Sequence, residues 1–151
     1  MVDSTSLISP KVICLGEALI DRLGPLGGDP QFDLPVEDCF GGAPANVACG
    51  LSRLGTEVGF IGCLGNDQFG KIFRELMQSR GINLSALQID RERPTRVVLV
   101  SRDLKGERTF KGFWGNKGKG FADMALNLQD LLDAWPLLEG QAEWLLIGSI
   151  P

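Results

Sequence analysis

Residues 41–65 read GGAPANVACGLSRLGTEVGFIGCLG. A glycine pair, Gly41 and Gly42, opens the stretch and leaves room for backbone N–H groups to approach a bound group closely. Ala43 and Pro44 follow, and proline is at home in the first turn of a helix. The small apolar run Ala45–Leu54 reads as that helix, with Gly55 as its C-cap. Glu57–Leu64 is an apolar run of strand length that ends at Gly65. A glycine-opened helix followed by a buried strand is the unit from which parallel α/β sheets are built.

Upstream, Lys11–Leu15 (KVICL) is a short β-branched run that reads as a buried parallel strand. Residues 17–23 continue as EALIDRL, Gly24–Pro30 is rich in Gly and Pro and reads as a turn, and Gln31–Phe40 reads as an extended segment interrupted by Pro35. The first ten residues, MVDSTSLISP, lack a basic start and an apolar core. They read as a disordered leader rather than a signal peptide, which goes with a cytoplasmic location.

Downstream, Asp67 is placed to cap a helix whose apolar stripe is Phe69, Ile72, Phe73, Leu76 and Met77, ended by Gly81. Strand, helix, strand, helix in this order predicts a parallel sheet with right-handed crossovers. The pattern then changes. Thr95–Arg102 and Arg108–Trp114 flank a Lys-Gly turn and read as a β-hairpin, better suited to an antiparallel flap than to the parallel sheet. Asn116–Gly120 is a loop, Leu128–Leu138 a helix disturbed by Pro136, and Glu143–Ile150 (EWLLIGSI) another buried strand. Such a strand is normally followed by more helix and sheet, so the sequence is expected to stop in mid-fold.

With 151 residues, 44% hydrophobic and 23% charged, the chain has the composition of one globular domain. Its net charge of −4 and lack of a basic run argue against nucleic acid as a partner, and no apolar stretch is long enough to span a membrane. Histidine is absent, which removes any imidazole base or His-containing triad from these residues. Cys14, Cys39, Cys49 and Cys63 form no Cys-x-x-Cys pair, so no metal site is expected; three lie in apolar runs as reduced, buried thiols.

Gly65–Lys71 (GNDQFGK) matches the start of a phosphate-binding Walker loop, but residue 72 is Ile where a hydroxyl would hold magnesium. No Gly-x-Gly-x-x-Gly occurs, so a dinucleotide fingerprint is missing. Lys117 and Lys119 among the glycines of the 116–120 loop read as a solvated basic loop or an anion site. Asp21 lies just past the first strand, where ligands of open α/β sheets collect. It reads either as an acceptor for sugar hydroxyls or as part of a surface turn with Arg22. Asn46, in the first helical turn after the glycine pair, can donate and accept, which suits either hydroxyl recognition or local capping.

Taken together, Gly41, Gly42, Pro44, Asn46, Ala48, Gly55 and Gly65 fall at the spacing of the first signature of the ribokinase/pfkB family of carbohydrate kinases, which this stretch resembles. ICLGEALID at 13–21 resembles that family's first strand and substrate aspartate, and GERTF at 106–110 resembles its fructokinase-like branch. GNDQFGK fits the family's continuation and accounts for the Walker match.

The resemblance implies an α/β fold, a ribokinase-like three-layer sandwich with a parallel central sheet and a small β-sheet lid, incomplete at the C-terminus. Residues 11–151 would be its amino-terminal part, with lid segments near 19–40 and 95–114. It implies that Asp21 clamps sugar hydroxyls, that Gly41 and Gly42 bring backbone N–H groups against the sugar, and that Asn46 binds a further hydroxyl. Lys111 and Trp114 on the hairpin are further candidates for touching substrate, with a supporting-strand role as the alternative. ATP and Mg2+ would serve the complete enzyme, and this chain would bind neither alone. The family's second signature, with its general-base aspartate, is not found in these residues. The expected catalytic and cofactor-binding sets are therefore empty. At the end of WLLIGSI, Ser149 and Ile150 stand where some members carry an acid, which leaves the sugar open. The expected partners are a small sugar and either a second copy through the lid or a complementing C-terminal half. Competing readings are a non-catalytic sugar-binding module, one half of a split kinase, and a nucleoside kinase.

Overall fold

The computed structural model describes residues 9–115 and 118–148. Residues 1–8 of the expected leader, Asn116 and Lys117 of the expected loop, and the Ser149–Ile150 end of the last expected strand lie outside the described residues. In chain order the elements are β1 (Val12–Leu15), β2 (Leu19–Leu26), β3 (Glu37–Gly41), α1 (Ala43–Arg53), β4 (Val58–Gly65), α2 (Gln68–Ser79), β5 (Leu87–Asp90), β6 (Val97–Arg102), β7 (Arg108–Trp114), α3 (Leu128–Ala134) and β8 (Trp144–Ile147).

The first sheet has the order β5-β4-β1-β8, and every pairing in it is parallel. β4 is buried along its whole length, as a central parallel strand with both faces covered must be. Alternation divides its side chains between two cores. Cys14, Val58, Phe60 and Leu64 pack with Ala45, Ala48 and Cys49 of α1 and Phe73 and Met77 of α2. Ile13 and Ile61 point the other way, onto Leu138, Leu131 and Trp135 at the α3 end of the chain. The result is three layers: helices, parallel sheet, helices.

A second, mixed sheet stands beside the first, with the order β3-β2-β6-β7. β2 pairs antiparallel with β3 and parallel with β6, and β6 pairs antiparallel with β7 as the hairpin signal predicts. One face of this sheet joins the main core through Ile20 and Val97. Phe40 meets Phe73 of α2 edge-on, at a centroid distance of 4.9 Å.

The helix ends follow local chemistry. The Asp67 side chain accepts from the Gly70 N–H at 2.8 Å, a side-chain N-cap for α2. α1 begins at Ala43 rather than Ala45, because Pro44 tolerates the first turn. The 128–138 helix is shorter than expected: α3 ends at Ala134 and passes into a 3-10 turn over Trp135–Leu137, where Pro136 cannot continue α-helical bonding.

Several expectations need correction. β2 runs on to Leu26, into the segment read as a turn, because β6 offers it a pairing partner as far as Arg102. Only the end of the 31–40 segment, from Glu37, is strand. Leu87–Asp90 is a strand with no apolar run to announce it; it sits at the sheet edge with half-exposed side chains. The last strand is not buried. β8 is the opposite edge, and Trp144, Leu145 and Ile147 are 70%, 52% and 64% exposed. Ile72 of the α2 stripe is also 40% exposed, so the helix buries a narrower face through Phe73 and Met77.

Candidate functional site

The C-terminal end of β1, the N-terminus of α1 and one face of the second sheet enclose a cleft of about 340 Å³. Its lining comes from Glu17, Leu19, Asp21, Gly42, Ala43, Arg96, Val98, Phe110 and Phe113. Strand ends in open α/β sheets leave such a crevice, and here the second sheet forms its far wall.

Asp21 sits on β2 opposite Cys39 of β3 and beside Val98 of β6. Burial raises its carboxyl above the ordinary value, while the charge of Arg108 pulls the other way. Gly41 makes room for it: a Cβ at residue 41 would stand 2.5 Å from Asp21 Oδ2. Gly42 has φ +96° and is the N-cap position of α1, and a Cβ there would meet the Glu17 carbonyl oxygen at 2.5 Å. Gly42 thus lets the chain turn from β3 into a helix that starts at the cleft wall, while glycine offers no side-chain cap.

The cap comes from elsewhere. Glu17, 2% exposed and just past β1, accepts from the Ala43 N–H through Oε1 at 3.0 Å. Across the cleft, Arg96 is 5% exposed and grips Asp123 with two bonds, Nε to Oδ2 at 2.6 Å and Nη2 to Oδ1 at 3.0 Å. The guanidinium also lies 5.1 Å from the Phe113 ring and 5.0 Å from the Phe121 ring. Arg96 therefore ties β7 of the second sheet to the 3-10 turn at Ala122–Met124.

Phe110 and Phe113 would face opposite ways on a regular strand, being three residues apart. They share the cleft face because the pairing slips by one. Leu99 pairs with Gly112 and Val100 with Phe110, leaving Lys111 as an unpaired bulge residue. The two rings meet at 5.2 Å and give the cleft an aromatic wall.

Of the residues singled out from sequence, Asp21 and Gly42 line the cleft, and Gly41 shapes it through Asp21. Asn46 is exposed on the first turn of α1 and is not among the lining residues. Lys111 is the exposed bulge that aims Phe110. Trp114 lies on the opposite face, with the Arg22 guanidinium 4.8 Å from its ring and Arg22 paired to Asp38 at 2.7 Å. Glu17, Arg96, Phe110 and Phe113 are additions. The available signals were the position of Glu17 directly after the first strand and the lone cation in the apolar run TRVVLV. Nothing in the sequence marks the bulge.

Gly65–Lys71 does not fit a nucleotide phosphate. Asp67 stands at the α2 N-terminus, its Oδ1 accepting from Gly70 N and Thr95 Oγ1 and its Oδ2 from Thr95 N. The amide a phosphate would use there is already held by a carboxylate. Among the described residues, no cluster of three or more His, Cys, Asp or Glu could hold a metal ion. No helix among them is long and apolar enough to cross a membrane. The four cysteines are free thiols. Cys14, Cys49 and Cys63 are buried, and burial pushes the Cys14 and Cys63 thiols up to about 11.

The family model for pfkB family carbohydrate kinases matches residues 9–138. The chain belongs to the pfkB family. A fructokinase of Escherichia coli is 37% identical over 143 residues, which cover 95% of this chain and 42% of the relative. A fructokinase of Salmonella typhimurium is 41% identical over 103 residues, covering 68% and 32%. A crystal structure of a Xylella fastidiosa fructokinase superposes with a TM-score of 0.74 at 31% identity, covering 91% of this chain and 41% of that one. A Xylella fastidiosa fructokinase solved with bound ATP gives a TM-score of 0.67 at 34% identity, covering 83% and 39%. This pfkB chain thus spans less than half the length of the curated relatives it matches. Its parallel central sheet and small mixed sheet are those of the ribokinase-like fold.

Proposed function

We propose that these 151 residues form the sugar-binding part of a pfkB-type sugar kinase with a fructokinase-like substrate, and that the second sheet is its lid. The observation that carries this reading is the cleft itself. It sets a half-buried carboxylate, Asp21, and the backbone at the start of α1 opposite an aromatic wall of Phe110 and Phe113. Carboxylates and backbone amides satisfy hydroxyls, and aromatic faces cover the C–H face of a sugar ring. The identities to fructokinases support the choice of sugar.

In the complete kinase, ATP with Mg2+ supplies the phosphoryl group. Lid closure over the sugar excludes water, which protects that group from idle hydrolysis. The role of these residues is to bind and orient the accepting sugar. The family's second signature, with its general-base aspartate, is not among them. Loss of a general base alone lowers rates by about 10²–10⁴-fold. A coupled assay of this chain with fructose, ATP and Mg2+ is therefore expected to show no steady ADP release, and sustained fructose-dependent turnover would contradict that division of labour.

Titration calorimetry of the purified chain with fructose tests the binding reading directly. Saturable binding is expected, and Asp21→Ala should weaken it about tenfold or more, the worth of a hydrogen bond to a charged group. The ionised carboxylate is the better acceptor, so affinity should fall as pH drops through the Asp21 pKa. Because burial raises that pKa, the loss should set in above the ordinary aspartate value of 3.8. Asp21→Asn should flatten this part of the pH profile. Saturable binding of adenosine in place of any sugar would move the assignment to a nucleoside kinase.

A further inference from the structure

Among the described residues, a single buried side-chain polar atom lacks a hydrogen-bond partner: Oε2 of Glu17. Buried polar groups are nearly always paired, and an orphaned carboxylate oxygen is among the most unfavourable exceptions. This one belongs to a residue lining the cleft, at the N-terminus of an 11-residue helix. Its sister oxygen is fixed by the Ala43 N–H at 3.0 Å, so the carboxylate is held in one orientation. Gly148, just past β8, lies close against it; a Cβ there would stand 2.6 Å from Oε2.

We propose that Glu17 is a specificity-determining ligand for the sugar, one oxygen capping α1 and the other accepting a hydrogen bond from a substrate hydroxyl. The proposal rests on the sugar-binding reading of the cleft and assigns it a residue and a chemical preference. An ionised carboxylate only accepts, so this position selects a donor. Asp21 is the second carboxylate of the cleft, and the cation facing them, Arg96, already makes two bonds to Asp123. Arg108 lies near enough to Asp21 to act on its charge. Two carboxylates, with the Arg96 guanidinium already held by Asp123 and the Arg108 charge set beside Asp21, favour a neutral polyol over a sugar acid or a phosphorylated sugar.

Glu17→Gln tests this, because glutamine keeps the oxygen that caps Ala43 and replaces the orphan acceptor by a donor. Dissociation constants of the wild-type chain and Glu17→Gln are measured for fructose and for fructoses lacking one hydroxyl at a time. The substitution is expected to weaken fructose about tenfold. One deoxy analogue should bind both chains equally, because it lacks the hydroxyl that Glu17 holds. An equal penalty on every analogue, or none on fructose, would overturn the proposal. A second measurement needs no variant: gluconate should bind the wild-type chain at least tenfold more weakly than fructose, and comparable affinity would also overturn it. If the wild-type chain binds no sugar at all, the sugar-binding reading falls and this proposal with it. If it binds sugar without these patterns, only the proposal falls.

Discussion

β4 and β7 both read from sequence as strands, yet they do opposite work. β4 is buried at every residue and supplies Val58, Phe60 and Leu64 to one core and Ile61 to the other. β7 is exposed at six of its seven positions, Gly112 being half-buried, and its aromatic residues face the cleft or the Arg22 side of the second sheet. The first sheet is held by packing on both faces. The second is held on one face by packing and at its margin by polar ties, chiefly Arg96 to Asp123 and Arg22 to Asp38. The difference separates a region packed on both faces from one that turns its side chains to the cleft.

Substitutions in the two regions should respond accordingly. Phe60→Ala removes a fully buried ring from the first sheet and should cost about 3–5 kcal/mol in a urea melt. A loss below 1 kcal/mol would mean that β4 is not the centre of stability. Asp67→Ala, at the junction of the sheets, removes the α2 cap together with both ties to Thr95. About 1–2 kcal/mol is expected from the cap. Hydrogen exchange should quicken at the start of β6 more than in β1, and uniform quickening would blur the distinction between the sheets. Phe110→Ala, at a ring 59% exposed, should leave stability within about 0.5 kcal/mol while weakening fructose binding. A stability loss as large as that of Phe60→Ala would collapse the comparison altogether.

Much of the frame was legible because its signals are local. The glycine pair before Pro44, the cap at Asp67, the break at Pro136 and the Lys-Gly turn each act within a few residues, and each forms its element. Asp21 and Gly42 were legible as cleft residues because the end of a first parallel strand and a glycine before a helix have predictable surroundings. Asn46 belonged to the same pattern, but it is exposed on the first turn of α1 and is not among the lining residues, whereas Ala43 of that turn is. Trp114, read as either a substrate contact or a supporting-strand residue, lies on the other face, because adjacent residues on a strand point opposite ways and Phe113 has the cleft side.

What could not be read is what depends on pairing between distant segments. The bulge at Lys111 arises only because β6 and β7 register as they do, and it alone sets Phe110 and Phe113 on one wall. The capping of α1 by Glu17 joins residues 26 apart in sequence, and no propensity announces it. β8, whose apolar run calls for cover, lies at a sheet edge among the described residues, with Trp144 and Ile147 exposed. The sequence by itself determined the α/β class and the family, since periodicity, glycine placement and motif spacing are properties of short stretches. Only the tertiary structure decided which side chains share the cleft and which carboxylate oxygen is left without a partner, because register and burial are settled by contacts between segments far apart in the chain.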